Sequence, residues 1–127
     1  MTIEDIPEMQ IVSFVGSRLI SVPAGSLIRT KGRFVVMQQD GRTWVYAQHD
    51  SDNLRSHSDL DMSFRYSCKC PTRDIKTSGG GFFEVGTDSL RIYGKSEKLG
   101  KYDEQVVRPI VERWAKQHLP SHQLSFS

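Results

Sequence analysis

The chain has 127 residues, of which 37% are hydrophobic and 25% charged, and its formal net charge is +2 at pH 7. This length and apolar content suit one modest core, so we predict a single domain over residues 1–127. The mild, evenly spread positive charge argues against a nucleic-acid-binding protein, and no apolar run reaches the roughly 18 residues that span a bilayer. We therefore expect a cytoplasmic monomer without nucleic-acid or membrane partners.

The first half of the chain is predicted to be β-structure. Apolar and alternating runs predict strands at residues 11–15 and 19–22 and a shorter, mixed strand at 26–30. Two further strands are predicted at residues 33–39 (RFVVMQQ) and 43–49 (TWVYAQH). Asp40-Gly41 lies between them and is a strong signal for a tight hairpin turn.

The pattern changes after residue 49. Leu54, His57, Leu60 and Phe64 recur at helical spacing in a polar segment, and they predict a helix capped by one of the residues 50–52. Residues 82–85 and 90–93 then predict two strands around a turn at 86–88. The glycine triplet at 79–81 is expected to be a flexible entry into the first of these strands.

The last helix has the clearest pattern. Its apolar positions share one face at helical spacing, and they are Val106, Val107, Ile110, Val111 and Trp114. Acidic residues at 103–104 suit its start, although Pro109 falls inside it, and residues 119–120 end it before a possible edge strand at 122–126. We predict an α+β fold in which two helices pack on a mixed sheet of about five to six strands.

The two cysteines, Cys68 and Cys70, are only two residues apart. In an extended segment their side chains point to opposite faces, which is a poor geometry for a mutual disulfide. The acidic start, MTIEDIPEMQ, also lacks the basic-then-apolar plan of a secretion signal. We therefore expect reduced thiols and no metal site, because Cys-x-Cys with two histidines upstream does not match the ligand spacing of zinc sites.

His49 is the first candidate for a chemical role, because it lies where a predicted strand passes into a predicted helix. The amides of Asp50 and Ser51 at such a helix start lack partners and attract phosphate or other anions. An exposed histidine without a function is the alternative that the sequence leaves open. His57 is the rival histidine, and its predicted role is packing against apolar residues of its own helix.

The segment 94–101 (GKSEKLGK) combines glycines, a serine hydroxyl and lysines. Glycine lets backbone amides approach a ligand closely, and the hydroxyl and ammonium groups can donate to an anion. The segment is not a P-loop, because Tyr102 follows Lys101 where that motif needs Ser or Thr. A solvated turn is the alternative interpretation.

The order of motifs from Cys68 to Val111 resembles the Janus/ocnus family. Cys-x-Cys is followed by a glycine triplet, a strand ending in Tyr-Gly-x-Ser, and Gly-Lys-x-Asp before the final helix. TWVYAQHD at 43–50 and IPEMQI near the start are similar in position to segments of the family. The resemblance implies a phosphohistidine-phosphatase-like fold and a metal-independent, cofactor-free phosphatase that hydrolyses phosphohistidine or phospholysine in proteins.

The resemblance also implies roles for individual residues. His49 matches the catalytic histidine, which acts as general base through its neutral imidazole or, alternatively, forms a phosphorylated-histidine intermediate. The amides of His49 and Asp50 would hold phosphoryl oxygens, with Gln48 beside them. Ser96 and the amide of Lys98 would bind the phosphate as well. Phosphohistidine-containing proteins are the expected partners.

Four features depart from the family pattern. Asp50 follows the histidine, where the family usually has a small residue. The family's strand lysine in Gly-x-Phe-Lys is missing from GRFV, so we assign its role to Arg33, with Lys31 as a second cation nearby. Phe82 replaces the arginine that commonly follows the glycine triplet, and the loop 70–79 is longer than usual. The alternative is therefore a weak or inactive Janus-like module that binds a phosphorylated or acidic partner, or a scaffold with solvating basic loops.

Overall fold

The computed structural model describes residues 7–15, 18–21, 30–39, 41–49, 56–68 and 75–127. These residues form seven strands and two helices. In chain order they are β1 (Met9–Val15), β2 (Arg18–Ser21), β3 (Thr30–Gln39), β4 (Arg42–His49), α1 (His57–Cys68), β5 (Lys76–Val85), β6 (Ser89–Tyr93), α2 (Glu104–His118) and β7 (Gln123–Phe126).

The seven strands form one mixed sheet in the order β2-β1-β4-β3-β5-β6-β7. The pairs β1–β4 and β6–β7 are parallel, and the remaining neighbours are antiparallel. The predicted α+β class, with two helices on a mixed sheet, is confirmed. Within the described residues the sheet has one strand more than the upper end of the prediction, because β1 and β2 both join it.

The alternation of side chains along the central strand β3 divides the core into two layers. Phe34 and Val36 belong to the layer under α2, whereas Val35 and Met37 belong to the layer under α1. The two helices therefore cover opposite faces of the sheet, as strand periodicity requires. The predicted hairpin is confirmed, since β3 and β4 are antiparallel neighbours and Gly41 in their turn has a φ of 79°.

Helix α1 covers its layer with two large side chains. Leu60 and Phe64 are fully buried, and the Phe64 ring lies 5.7 Å from the Trp44 ring and 5.5 Å from the Tyr46 ring between centroids. Burial of such side chains contributes about 1.5–3 kcal/mol each. This aromatic contact fixes the position of α1 over β3 and β4.

The predicted start of α1 is wrong. The helix begins at His57, because Ser56 and Asp59 form a reciprocal cap: the Asp59 amide donates to Ser56 Oγ (3.1 Å) and the Ser56 amide donates to Asp59 Oδ2 (3.2 Å). Residues 50–52, which we predicted as caps, lie outside the described part of the chain. So do residues 26–29 of the third predicted strand and the side chains of both cysteines.

The prediction for the glycine triplet is also wrong. Gly79, Gly80 and Gly81 lie inside β5, which begins at Lys76 and pairs with β3 along most of its length.

The elements at the end of the chain match their predictions more closely. Helix α2 starts at Glu104 after the Asp103 cap, runs through Pro109, and is followed by the edge strand β7.

No helix in the described ranges has both the length and the apolar character needed to cross a membrane.

Candidate functional site

A cleft of about 680 Å³ opens where the first turn of α1 meets β3, β5 and the turn after β6. Most of its lining residues are polar or charged by type, and they come from four separate parts of the chain. The lining residues are Arg33, Ser56, His57, Ser58, Phe82, Lys95, Ser96, Glu97 and Lys98. The structure thus brings together three residues that the sequence predicted as phosphate ligands, namely Arg33, Ser96 and Lys98.

His57 is the titratable side chain at the centre of this cleft. It is buried, and its Nε2 lies 2.9 Å from the carbonyl oxygen of Gly81. Because a carbonyl can only accept, Nε2 must carry a hydrogen, and the neutral ring therefore has its unprotonated nitrogen at Nδ1. The contact with Gly81 selects the tautomer that can accept a proton at Nδ1.

The surroundings of His57 favour the neutral ring. Burial lowers the pKa of His57 below its ordinary value of 6.5, the hydrogen bond to Gly81 opposes this effect, and the nearby positive charge of Arg33 lowers the pKa further. The ring also lies edge-on to Phe82, with 5.2 Å between the two centroids. At neutral pH the imidazole is therefore unprotonated and fixed in orientation.

Gly80 forms the wall between His57 and Ser96. A Cβ at this position would lie 2.7 Å from the Phe34 carbonyl oxygen, 3.0 Å from His57 Cδ2 and 3.4 Å from Ser96 Cβ. Two of these distances are far below ordinary contact, so a side chain here would displace the His57 ring or the strand. Because Gly80 has no side chain, the start of α1 with His57 and the turn with Ser96 can both lie close to β5.

Ser96 is held in place by backbone hydrogen bonds. Its amide donates to the Gly80 carbonyl (3.2 Å), its carbonyl accepts from the Gly100 amide (2.9 Å), and its Oγ accepts from the Leu99 amide (3.0 Å). The side chain is only 1% exposed, yet it lines the cleft. Among the described residues the Ser96 hydroxyl hydrogen has no acceptor, so it can donate to a ligand in the cleft.

The remaining groups give the cleft a positive potential. Arg33, Lys95 and Lys98 line it together with a single carboxylate, that of Glu97. The first amides of α1 point along the helix axis without intrahelical acceptors, which adds partial positive charge at His57 and Ser58. A phosphoryl group matches this set of donors and cations.

Of the other predicted site residues, the structure describes Gln48 and the backbone of His49. Gln48 is 2% exposed and lies opposite Arg33 in the β3–β4 register. The backbone of His49 ends β4 opposite Gly32, one residue from Arg33, but the His49 side chain and the whole of Asp50 lie outside the described residues. The prediction that His49 is catalytic, with Asp50 as its neighbouring donor, stays a prediction.

His57 lies in α1 as predicted, at the first residue of the helix, and its packing against Leu54, Leu60 or Phe64 stays a prediction. Because α1 begins at His57, the ring contacts β5 at Gly81 and Phe82. The sequence does contain a signal for this placement. Ser56 and Asp59 have the spacing of a capping box, which puts His57 at the first helical position.

A comparison of the chain with protein-family models and with curated proteins found no match. The resemblance to the Janus/ocnus family therefore rests on its motifs alone. In the described ranges, no group of three or more His, Cys, Asp or Glu side chains is placed to hold a metal ion.

Proposed function

We propose that this chain is a metal-independent phosphatase that hydrolyses phosphohistidine, and phospholysine, in cytoplasmic protein substrates, with His57 as the general base in place of His49. The observation that carries the proposal is the His57 imidazole, held by the Gly81 carbonyl in one neutral tautomer beside Ser96. A base that is neutral and oriented before substrate arrives is what proton abstraction from water requires. The cations that surround it supply the affinity for phosphate.

The chemistry is a single displacement at phosphorus. Water attacks the phosphorus atom and gives its proton to Nδ1 of His57, while the phosphorus–nitrogen bond breaks and its electron pair leaves with the substrate nitrogen. The nitrogen takes up a proton from solvent, and His57 then returns its own proton to solvent. The Ser96 hydroxyl, the first amides of α1 and the nearby cations stabilise the charge on the phosphoryl oxygens. A phosphoramidate bond is intrinsically labile once its nitrogen is protonated, so this set of groups is sufficient.

Two observations, one from the sequence and one from the structure, support His57 as the general base. The residue after it is Ser58, a small residue such as the Janus/ocnus pattern has after its histidine, whereas Asp50 after His49 departs from that pattern. Arg33 also lines the cleft that contains His57, which fits a cation in the role of the missing strand lysine.

Hydrolysis of a phosphohistidine peptide in the presence of EDTA tests this proposal. We expect the wild-type chain to release inorganic phosphate at an unchanged rate when EDTA is added. Phosphate binding without turnover would instead support the alternative, a non-catalytic module that binds a phosphorylated partner. A wild-type chain that neither binds nor releases phosphate would contradict both.

The pKa of His57 sets the expected pH dependence of the activity. Because the ring must be neutral, kcat/KM should rise as pH increases, and the midpoint of this rise should lie below the ordinary histidine value of 6.5. Arg33→Gln removes a positive charge that lowers the pKa of His57. The pKa should then rise, and the rising limb of the pH profile, where kcat/KM increases with pH, should move to higher pH. A pH profile of kcat/KM checks this, with Arg113→Gln on α2 as the control that leaves the limb in place.

The same pKa shift predicts a change in stability. Below pH 6.5 the unfolded chain binds more protons at His57 than the folded chain, since the folded pKa is the lower one. The contribution of His57 to the free energy of unfolding is therefore complete above pH 6.5 and is lost as pH falls through the folded pKa.

Ser96→Ala should lower kcat by about 10²–10³-fold, because the hydroxyl is one of several donors to the phosphoryl oxygens. The remaining amides and cations keep the rate above background. Steady-state kinetics on the phosphohistidine peptide measure the effect, and Ser89→Ala, an exposed serine at the start of β6, is the matched control. An unchanged kcat for Ser96→Ala would place Ser96 outside the site.

A further inference from the structure

Helix α1 covers only part of its face of the sheet. Leu60 and Phe64 pack over Val35 and Met37, whereas the two rows of paired residues beyond the start of α1 carry the His57 ring against Phe82 and lie under no further helix of the described residues. These rows are half-buried or exposed, and we name them the open strip. Its members are Lys31, Arg33, Phe82, Glu84, Arg91 and Tyr93.

The open strip is continuous with the cleft. Arg33 and Phe82 line the cleft and also belong to the strip, and the second row continues from them across β5 to β6. A substrate residue whose phosphorylated side chain enters the cleft therefore has its sequence neighbours close to the strip. An extended peptide segment matches this shape.

Arg91 is an exposed cation of the strip. Its guanidinium lies 4.0 Å from the centre of the Tyr93 ring, and Tyr93 in turn stacks on Phe82 with 5.8 Å between centroids. A guanidinium that lies flat on a ring is held in place while the N–H groups at its edge stay available to a carboxylate. Arg91 forms no ion pair with any described residue, although Glu84 is opposite it in the register.

The charge on this face of the molecule has one dominant sign. The strip holds three cations and one carboxylate, and the cleft adds Lys95 and Lys98 against Glu97. Together the described residues of the strip and the cleft carry five cations and two carboxylates, a net charge of +3, whereas the whole chain carries +2. A surface of this kind attracts a negatively charged partner and orients its approach.

We propose that the open strip docks an acidic segment next to the phosphorylated residue of a protein substrate. The inference rests on the proposed function, since it names the class of substrate that the same cleft accepts. Arg91 binds a carboxylate of that segment, and the stacked rings of Phe82 and Tyr93 support its backbone and apolar side chains.

Fluorescence anisotropy with two labelled peptides tests the docking step alone. Both carry a phosphonate–triazole isostere of phosphohistidine, which is not hydrolysed, and they differ only in having Glu or Gln at the flanking positions. We expect wild type to bind the Glu peptide about tenfold more tightly, because several partly exposed charge pairs contribute together. Arg91→Glu should remove this preference, and Lys116→Glu on α2, which covers the other face, should keep it.

Equal affinity of wild type for the two peptides would overturn the docking proposal. So would an Arg91→Glu variant that weakens both peptides to the same extent, because the effect would then be independent of the acidic flank. Binding of the Glu peptide that survives high salt unchanged would also contradict it, since exposed charge pairs are screened.

A small substrate separates this inference from the proposed function. Phosphoramidate can enter the cleft but is too small to reach Arg91 as well, so wild type and Arg91→Glu should hydrolyse it at the same rate. If wild type does not hydrolyse phosphoramidate or the phosphohistidine peptide, the proposed function fails, whereas the affinities of the two isostere peptides still decide the docking step.

Discussion

Replacement of His57 by alanine is expected to lower kcat/KM for a phosphohistidine peptide by about 10³-fold, because general-base catalysis by a positioned side chain contributes on this order. The variant keeps the cations and the Ser96 hydroxyl, so phosphate should still bind. The base is lost, and water must then attack without a proton acceptor. Phosphate release and isostere-peptide affinity, measured on the same preparation, separate these two steps.

Two histidine variants serve as comparisons for His57→Ala. His118→Ala, near the exposed end of α2, should leave kcat/KM unchanged. His49→Ala decides between the two predicted bases: if it abolishes hydrolysis while His57→Ala retains it, the proposal for His57 is wrong. Partial rescue of His57→Ala by added imidazole would identify lost proton transfer, whereas a purely structural defect would not respond.

Gly80→Ala is expected to remove activity and to lower the free energy of unfolding by about 1–3 kcal/mol, as overpacking of a tight site does. The new Cβ would lie 2.7 Å from the Phe34 carbonyl oxygen, which belongs to the central strand and cannot rotate away. It would also lie 3.0 Å from His57 Cδ2 and would push the ring from its 2.9 Å hydrogen bond with Gly81. Urea denaturation and kcat measure the two effects.

The control for Gly80→Ala is Gly86→Ala in the turn between β5 and β6. Its added Cβ would lie 2.6 Å from Ser89 Oγ, but this atom belongs to a side chain that can rotate away. We expect a small change in stability and full activity. A Gly80→Ala variant with wild-type kcat and an unchanged urea midpoint would show that the close approach of His57 to β5 is not needed.

Much of the fold was predictable because its signals are local. Alternating apolar residues mark β3 and β4, Asp40-Gly41 marks their turn, and the apolar face and acidic start mark α2. These patterns depend on neighbours within a few residues. The parallel pairs β1–β4 and β6–β7 have no such local signal, so the sequence does not predict the order of the strands in the sheet.

The candidate site was predictable only in part, because contacts between segments distant in sequence bring its residues together. Ser96 and Lys98 were recognised from a motif, and Arg33 from strand alternation, and all three line one cleft. The role of His57 depended on where α1 begins. Residues 50–52 are acceptable caps by residue type alone, and the competing cap at Ser56 is favoured by contacts of His57 with β5, which is distant in sequence.

The residues of the cleft are distant in sequence, and this determines when the cleft forms during folding. Arg33, His57, Gly80 and Ser96 come from four segments, and the ring of His57 is in place only when β5 has paired with β3 and α1 has docked. Pairing between distant segments is a slow part of folding, because closing the long loop between them costs entropy before the stabilising contacts can form. The site therefore forms only after β3, β5 and α1 have come together, and no fragment that ends before Ser96 contains all four residues.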